Sequence, residues 1–142
     1  MKEQNFKNHS RFVTGYHVVS TLLLCALLIG SIVNLVTSNH DNRYSASLLV
    51  LSTIVLVLIG FYTRTFALIA QDRVIKAEEN LRYYLLTGKT LDAKLKVRQI
   101  IGLRFASDEE FPALVEKALK EKLSEKDIKK SIINWRPDYY RV

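Results

Sequence analysis

The sequence predicts an all-α membrane protein: a two-helix transmembrane hairpin, a second helix extended into the cytoplasm, and then a small bundle of about three short helices. Three observations point there. First, from Val13 to Val36, and again from Ser45 to Thr63, the chain contains no Asp, Glu, Lys or Arg. A bilayer-crossing helix needs roughly 20 mainly apolar residues, because about 30 Å of hydrocarbon is covered at about 1.5 Å per residue. Second, neither Gly nor Pro occurs between Phe61 and Thr87, so nothing stops the second helix at the membrane boundary. Third, apolar residues recur at helical spacing beyond Gly88.

Two other readings of the apolar runs fit less well. A secretory signal has an apolar stretch of about 7–15 residues. The first run exceeds that, and a second span follows at once. If both runs were core helices of a soluble domain, the rest of a 142-residue chain would be too short to cover them. The expected organisation is a lead-in over 1–12, spans over 13–36 and 45–69, and a connecting loop over 37–44. A helical arm over 70–88 and a helical domain over 89–142 follow.

Lys/Arg bias in short flanks sets orientation. Lys2, Lys7 and Arg11 precede the first span; Arg64, Arg73, Lys76 and Arg82 follow the second; the loop holds only Arg43. Both termini are therefore expected in the cytoplasm and the loop in the periplasm. Within the spans, Ala26 and Gly30 form a small-xxx-small pair, with Asn34 a turn further on; Ser52 and Gly60 share a face of the second. Small residues let helix backbones approach, and a buried amide needs a partner, so these five are candidates for helix packing or self-association. Small residues are also common in membrane helices without any such role. Arg64 and Arg73 are candidate headgroup contacts, Arg64 snorkelling from the end of the span.

The arm carries apolar residues at 67, 70, 74, 77, 81 and 85 and ends at Gly88, a residue type favoured after a helix. Beyond it, a helix is expected over about Asp92–Ala106, with apolar residues on more than one side. The next opens at Ser107, with Glu110 completing a capping box and Phe111, Leu114, Val115, Ala118, Leu119 and Leu123 as its stripe. The last starts near Ser124 and runs toward Pro137. So short a domain is expected to pack on the arm, the membrane surface or a partner.

The net charge is +7. Only Lys2, Lys7, Arg11, Arg43 and Arg64 among the 21 basic residues, and Glu3 and Asp41 among the 14 acidic ones, precede Gln71. The cytoplasmic part is thus basic, suited to anionic headgroups, RNA or an acidic partner. Lys126, Lys129 and Lys130 are the cations such a reading uses first. Pairs such as Glu116–Lys120 read as ordinary helix-surface partners.

Catalytic signatures are lacking. The sequence has no P-loop, dinucleotide turn, HExxH or nucleophile elbow, and Cys25 stands alone within a span. His9, His17 and His40 do not share a bilayer depth as a pair, and Asp108, Glu109 and Glu110 suit a helix start. No enzyme, metal or cofactor is expected. The C-terminal Trp135, Arg136, Tyr139, Tyr140 and Arg141 are the candidate docking residues, since aromatics and Arg anchor protein interfaces. The same types stack on single-stranded bases or settle at headgroups, and Trp135 also suits the closing of a small core.

The string Arg82-Tyr83-Tyr84-Leu85-Leu86-Thr87-Gly88-Lys89 and the segment from Arg98 through Pro112 resemble an uncharacterised family of small two-span bacterial membrane proteins. So do the opening Glu3-Gln4-Asn5-Phe6-Lys7-Asn8-His9 and the ending from Ile133 through Val142. The resemblance implies a bacterial inner membrane and brings no activity or catalytic residue with it. The expected function is a non-catalytic accessory or adaptor subunit, or a self-associating scaffold, of an inner-membrane assembly. Its partners would be membrane lipids and a protein or a second copy of the chain. The alternative is a membrane-tethered binder of RNA, ribosome or anionic lipid.

Overall fold

The computed structural model describes residues 4–9 and 12–139. Among these residues all regular structure is helical: α1 (Thr21–Thr37), α2 (Arg43–Thr87), α3 (Val97–Leu103), α4 (Phe111–Lys120) and α5 (Glu125–Ser131). A π-helical turn, Gly15–Ser20, leads into α1, and a 3-10 turn, His40–Asn42, leads into α2. As the missing Gly and Pro predict, α2 continues past Arg64 to Thr87. Gly88 then adopts φ +72° and its N–H bonds the Tyr84 carbonyl at 2.8 Å, a left-handed helix end that glycine takes without strain.

The chain forms two compact units. One comprises residues 12–67: the π turn, α1 and the first part of α2. Here the large apolar side chains face outward, among them Leu22, Leu23, Ile29, Val36, Leu51 and Ile59. Soluble monomers rarely expose contiguous apolar patches larger than a few hundred Å². Both helices are long and apolar enough to cross a membrane. What this unit buries is small: Ser31, Ala46 and Thr53. The two hydroxyls are satisfied within their own helices, Ser31 Oγ donating to Leu28 O and Thr53 Oγ1 to Leu49 O, each at 2.9 Å.

The other unit joins residues 4–9 to residues 68–139. Its core comprises Leu95, Ile100, Leu103, Phe105, Phe111, Val115 and Ile128, closed by Ile75 and Tyr83 of α2. Packing of α3 on α5 is tight at Gly102, where an added Cβ would lie 3.1 Å from the Glu125 carbonyl oxygen and 3.2 Å from Ile128 Cγ2. Burial of this kind, at about 25 cal/mol per Å² of apolar surface, is what holds so short a set of helices together.

Four sequence expectations change at this level. The helix expected over Asp92–Ala106 is only Val97–Leu103. Asp92 Oδ1 accepts the Lys94 N–H at 2.8 Å, and its carbonyl accepts from Leu95 N, so Asp92 builds a turn instead. The Ser107/Glu110 capping box does not form. The Ser107 N–H donates to Asn134 O, while the Glu110 carboxylate accepts from Asn134 N at 2.6 Å and Ile133 N at 3.2 Å. α5 stops at Ser131, well before Pro137, because Ile132 turns extended and the chain doubles back. There Ala106 and Trp135 form an antiparallel bridge, and Arg136 N donates to Phe105 O at 2.7 Å. Finally, residues 4–9 of the expected lead-in are part of the helical unit.

Candidate functional site

α2 presents two faces in the helical unit. At about 100° per residue, Ile75, Glu79, Arg82 and Tyr83 cluster on one side, and Ala70, Val74, Ala77 and Leu81 centre roughly opposite. The first face is turned inward: Ile75 and Tyr83 join the core, and Tyr83 and Arg82 both meet the Phe111 ring of α4. The second, the apolar stripe visible in the sequence, stays in the open: Val74 is 54 % exposed, Leu81 59 % and Leu85 75 %.

The buried face is held by charge. Arg82 Nε donates to Asp108 Oδ1 at 2.7 Å, Nη1 to Glu79 Oε2 at 3.0 Å and Nη2 to the Ala106 carbonyl at 2.7 Å. Its guanidinium also lies 4.4 Å from the centre of the Phe111 ring. A planar fork with five donors suits this task, whereas an ammonium would serve only part of it. Burial raises the Glu79 carboxyl above its ordinary value of 4.5, against the opposing pull of the Arg82 cation and its hydrogen bond and then of Arg136. Glu79 lies outside the charge-free Ser45–Thr63 run, on the arm.

A second cluster ties the N-terminal residues to the C-terminal ones. Gln4 Oε1 accepts the Asp138 N–H at 2.7 Å, and Gln4 Nε2 donates to the Asp138 carbonyl at 3.3 Å. The Asp138 carboxylate pairs with Arg104 at 3.2 Å. The His9 ring packs at 5.6 Å from Phe105 and 5.7 Å from Trp135. Its Nδ1 is 2.8 Å from Phe6 O, and its Nε2 is 3.2 Å from Lys129 Nζ. A neutral imidazole protonated at Nδ1 satisfies both, donating to the carbonyl and accepting from the ammonium. Lys129 is completed by Glu125 Oε1 at 2.6 Å and by the Phe105 ring face.

Two open grooves flank these clusters. One, of about 980 Å³, is lined by Lys94, Lys96, Arg98, Lys120 and Lys122, with Asp92, Glu116 and Glu125 among them. Gln99 bridges its floor, accepting from Lys96 N at 2.9 Å and donating to Leu123 O at 2.9 Å. The other, of about 920 Å³, lies between the arm residues Asp72, Arg73, Lys76 and Asn80 and the segment Thr90–Leu95. Among the described residues no cluster of His, Cys, Asp and Glu has the makings of a metal site.

The structure redistributes the residues expected to act. Trp135 is half-buried, 5.1 Å from Phe105, and packs against the core. Arg136 is partly exposed, 4.0 Å from Glu79, and Tyr139 is 52 % exposed. Tyr140 and Arg141 lie outside the described residues. Of the expected lysine trio, Lys129 is buried and paired, leaving Lys126 and Lys130 on the surface. Ala26, Gly30, Asn34 and Ser52 are exposed, and a Cβ on Gly30 or Gly60 would meet nothing within 4 Å. The buried residues of that unit are Ser31, Ala46 and Thr53, and Gly60 accepts the Tyr16 hydroxyl at 3.0 Å through its carbonyl. Arg64 sits 5.9 Å from the Tyr16 ring centre; Arg73 lines the arm groove. Sequence reasoning missed Glu79, Arg82, Gln4 and His9. A polar pair at i,i+3 on an amphipathic helix reads as solvated surface, and nothing local marks Gln4 for a partner 134 residues away.

No curated protein and no solved structure matches this chain. A family model described as a family of unknown function, DUF6526, matches residues 1–142, and the chain belongs to that family.

Proposed function

We propose that the protein is a non-catalytic, membrane-anchored scaffold or adaptor. Its α1 and the first part of α2 form a hairpin across a bacterial inner membrane, and it offers its helical unit to other proteins in the cytoplasm. One observation carries this reading: the unit's buried charges are engaged with one another, while an apolar face of its longest helix is left uncovered. Glu79, Arg82 and Lys129 each meet a group of the same unit, as structural ion pairs do. Exposed apolar patches mark interaction surfaces. Two crossings are supported by the Gln4–Asp138 pairing, since residues in contact on either side of both apolar helices must share one side of a membrane. Lys/Arg bias makes that side cytoplasmic.

The basic groove favours a second reading, a membrane-tethered binder of RNA, ribosome or anionic lipid, through Lys94, Lys96, Arg98, Lys120 and Lys122. Affinity purification from native membranes in mild detergent, at low and high salt, separates the two. The scaffold reading expects salt-tolerant recovery of a stoichiometric protein, a second copy included, that survives Lys94→Gln, Lys120→Gln and Lys122→Gln together. Recovery of nucleic acid or anionic lipid that falls steeply with salt and with those substitutions would replace it by the second reading.

A further inference from the structure

We infer that the outer face of the α2 arm is a homodimer seam, at which two copies of the chain pair their arms as a short parallel coiled coil. This rests on the membrane-anchored reading above for the parallel orientation of the copies. The exposed positions Ala70, Val74, Ala77, Leu81 and Tyr84 are spaced 4, 3, 4 and 3, a spacing that fits the alternating core positions of a two-heptad coiled coil, with Leu85 exposed beside them. Val74 and Leu81 fall at a, Ala70, Ala77 and Tyr84 at d. The same helix turns Ile75, Glu79 and Tyr83 inward, so its own unit occupies the opposite face and leaves the seam uncovered.

A second copy is the occupant that the charges and the membrane select. With Val74 and Leu81 at a, Arg73 falls at g and Glu78 at e, both exposed. In a parallel two-stranded coiled coil a g residue faces the e residue of the following heptad on the partner helix, so Arg73 meets Glu78 of the other copy, and two-fold symmetry makes the pair twice. Copies inserted with one orientation hold their arms parallel, the arrangement this pairing requires. The Ala residues let the helices approach closely; Val74, Leu81 and Tyr84 supply the apolar area.

The test uses the full chain in native membranes, in a Cys25→Ser background, with oxidative cross-linking of single cysteines. Leu81→Cys should give a disulfide-linked dimer, whereas Lys76→Cys, exposed on the same arm but off the seam, should give only background. Adding Arg73→Glu or Glu78→Arg alone should lower the Leu81→Cys yield toward that background; the two together should restore it. Co-expressing the two single reversals should favour mixed dimers. Equal cross-linking at both positions, yields indifferent to charge reversal, or a product of another protein's mass at Leu81 would overturn the inference. Carbonate extraction of every variant separates the two possible failures: a chain that stays in the membrane but does not cross-link sinks the seam alone, and a chain that is extracted sinks the membrane reading beneath it.

Discussion

Gly102 and Glu79 show how single residues set the stability of the helical unit. At Gly102 an added methyl would press on the Glu125 backbone, which cannot swing aside as a flexible side chain can. Gly102→Ala gains about 1 kcal/mol of helix propensity, which offsets part of the crowding. Gly102→Val gains less propensity and adds more bulk, and should destabilise the unit by about 1–3 kcal/mol, read as an earlier thermal transition in nanodiscs. Glu79 makes a pH-dependent contribution of defined sign. Its folded-state value lies above the ordinary 4.5, so the stability tied to its protonated form is full below 4.5 and is lost as pH rises through the folded value. Glu79→Gln removes that loss. The melting temperature of the variant minus that of the wild type should therefore increase as pH rises from about 4 to 7. A difference that shrinks over this range would contradict the assignment. Neither residue was legible in the sequence, because a glycine in a helical pattern and a Glu–Arg pair at i,i+3 both read as ordinary surface features until the packing partner is known.

Among elements, α2 was the most legible in extent and the least legible in orientation. Charge-free runs, missing breakers and Gly88 give its course because each acts locally through length, backbone freedom or capping. Which face it turns inward depends on tertiary partners, and here Arg82 decides it by reaching Asp108 and the Ala106 carbonyl. α4 matched its stripe, with Phe111, Leu114, Val115 and Ala118 buried, whereas α3 was shortened by the Asp92 turn. The N-terminal strap is the element with the clearest test. Gln4→Ala removes two hydrogen bonds to the Asp138 backbone, each worth about 0.5–1.5 kcal/mol net. Amide exchange at Asp138 should speed up while exchange in α1 stays unchanged. Unchanged exchange at Asp138 would mean the strap does not hold that segment.

At the scale of the whole molecule, one chain carries two compact units of different surface chemistry. The unit of residues 12–67 exposes apolar side chains suited to lipid; the unit of residues 4–9 and 68–139 encloses a conventional core and exposes charge, open grooves and an apolar arm face. Composition alone separated these chemistries. It did not disclose that the first residues of the chain belong with the last, because a pairing across 134 positions leaves no periodic trace. That pairing is also the central support for two crossings, and side-specific labelling of single cysteines in a Cys25→Ser background tests it most directly. With a membrane-impermeant maleimide on intact cells, Asn39→Cys should be labelled, while Lys7→Cys and Lys126→Cys should both be protected until the membrane is opened. Labelling of Lys7→Cys and Lys126→Cys from opposite sides of the membrane would contradict the account.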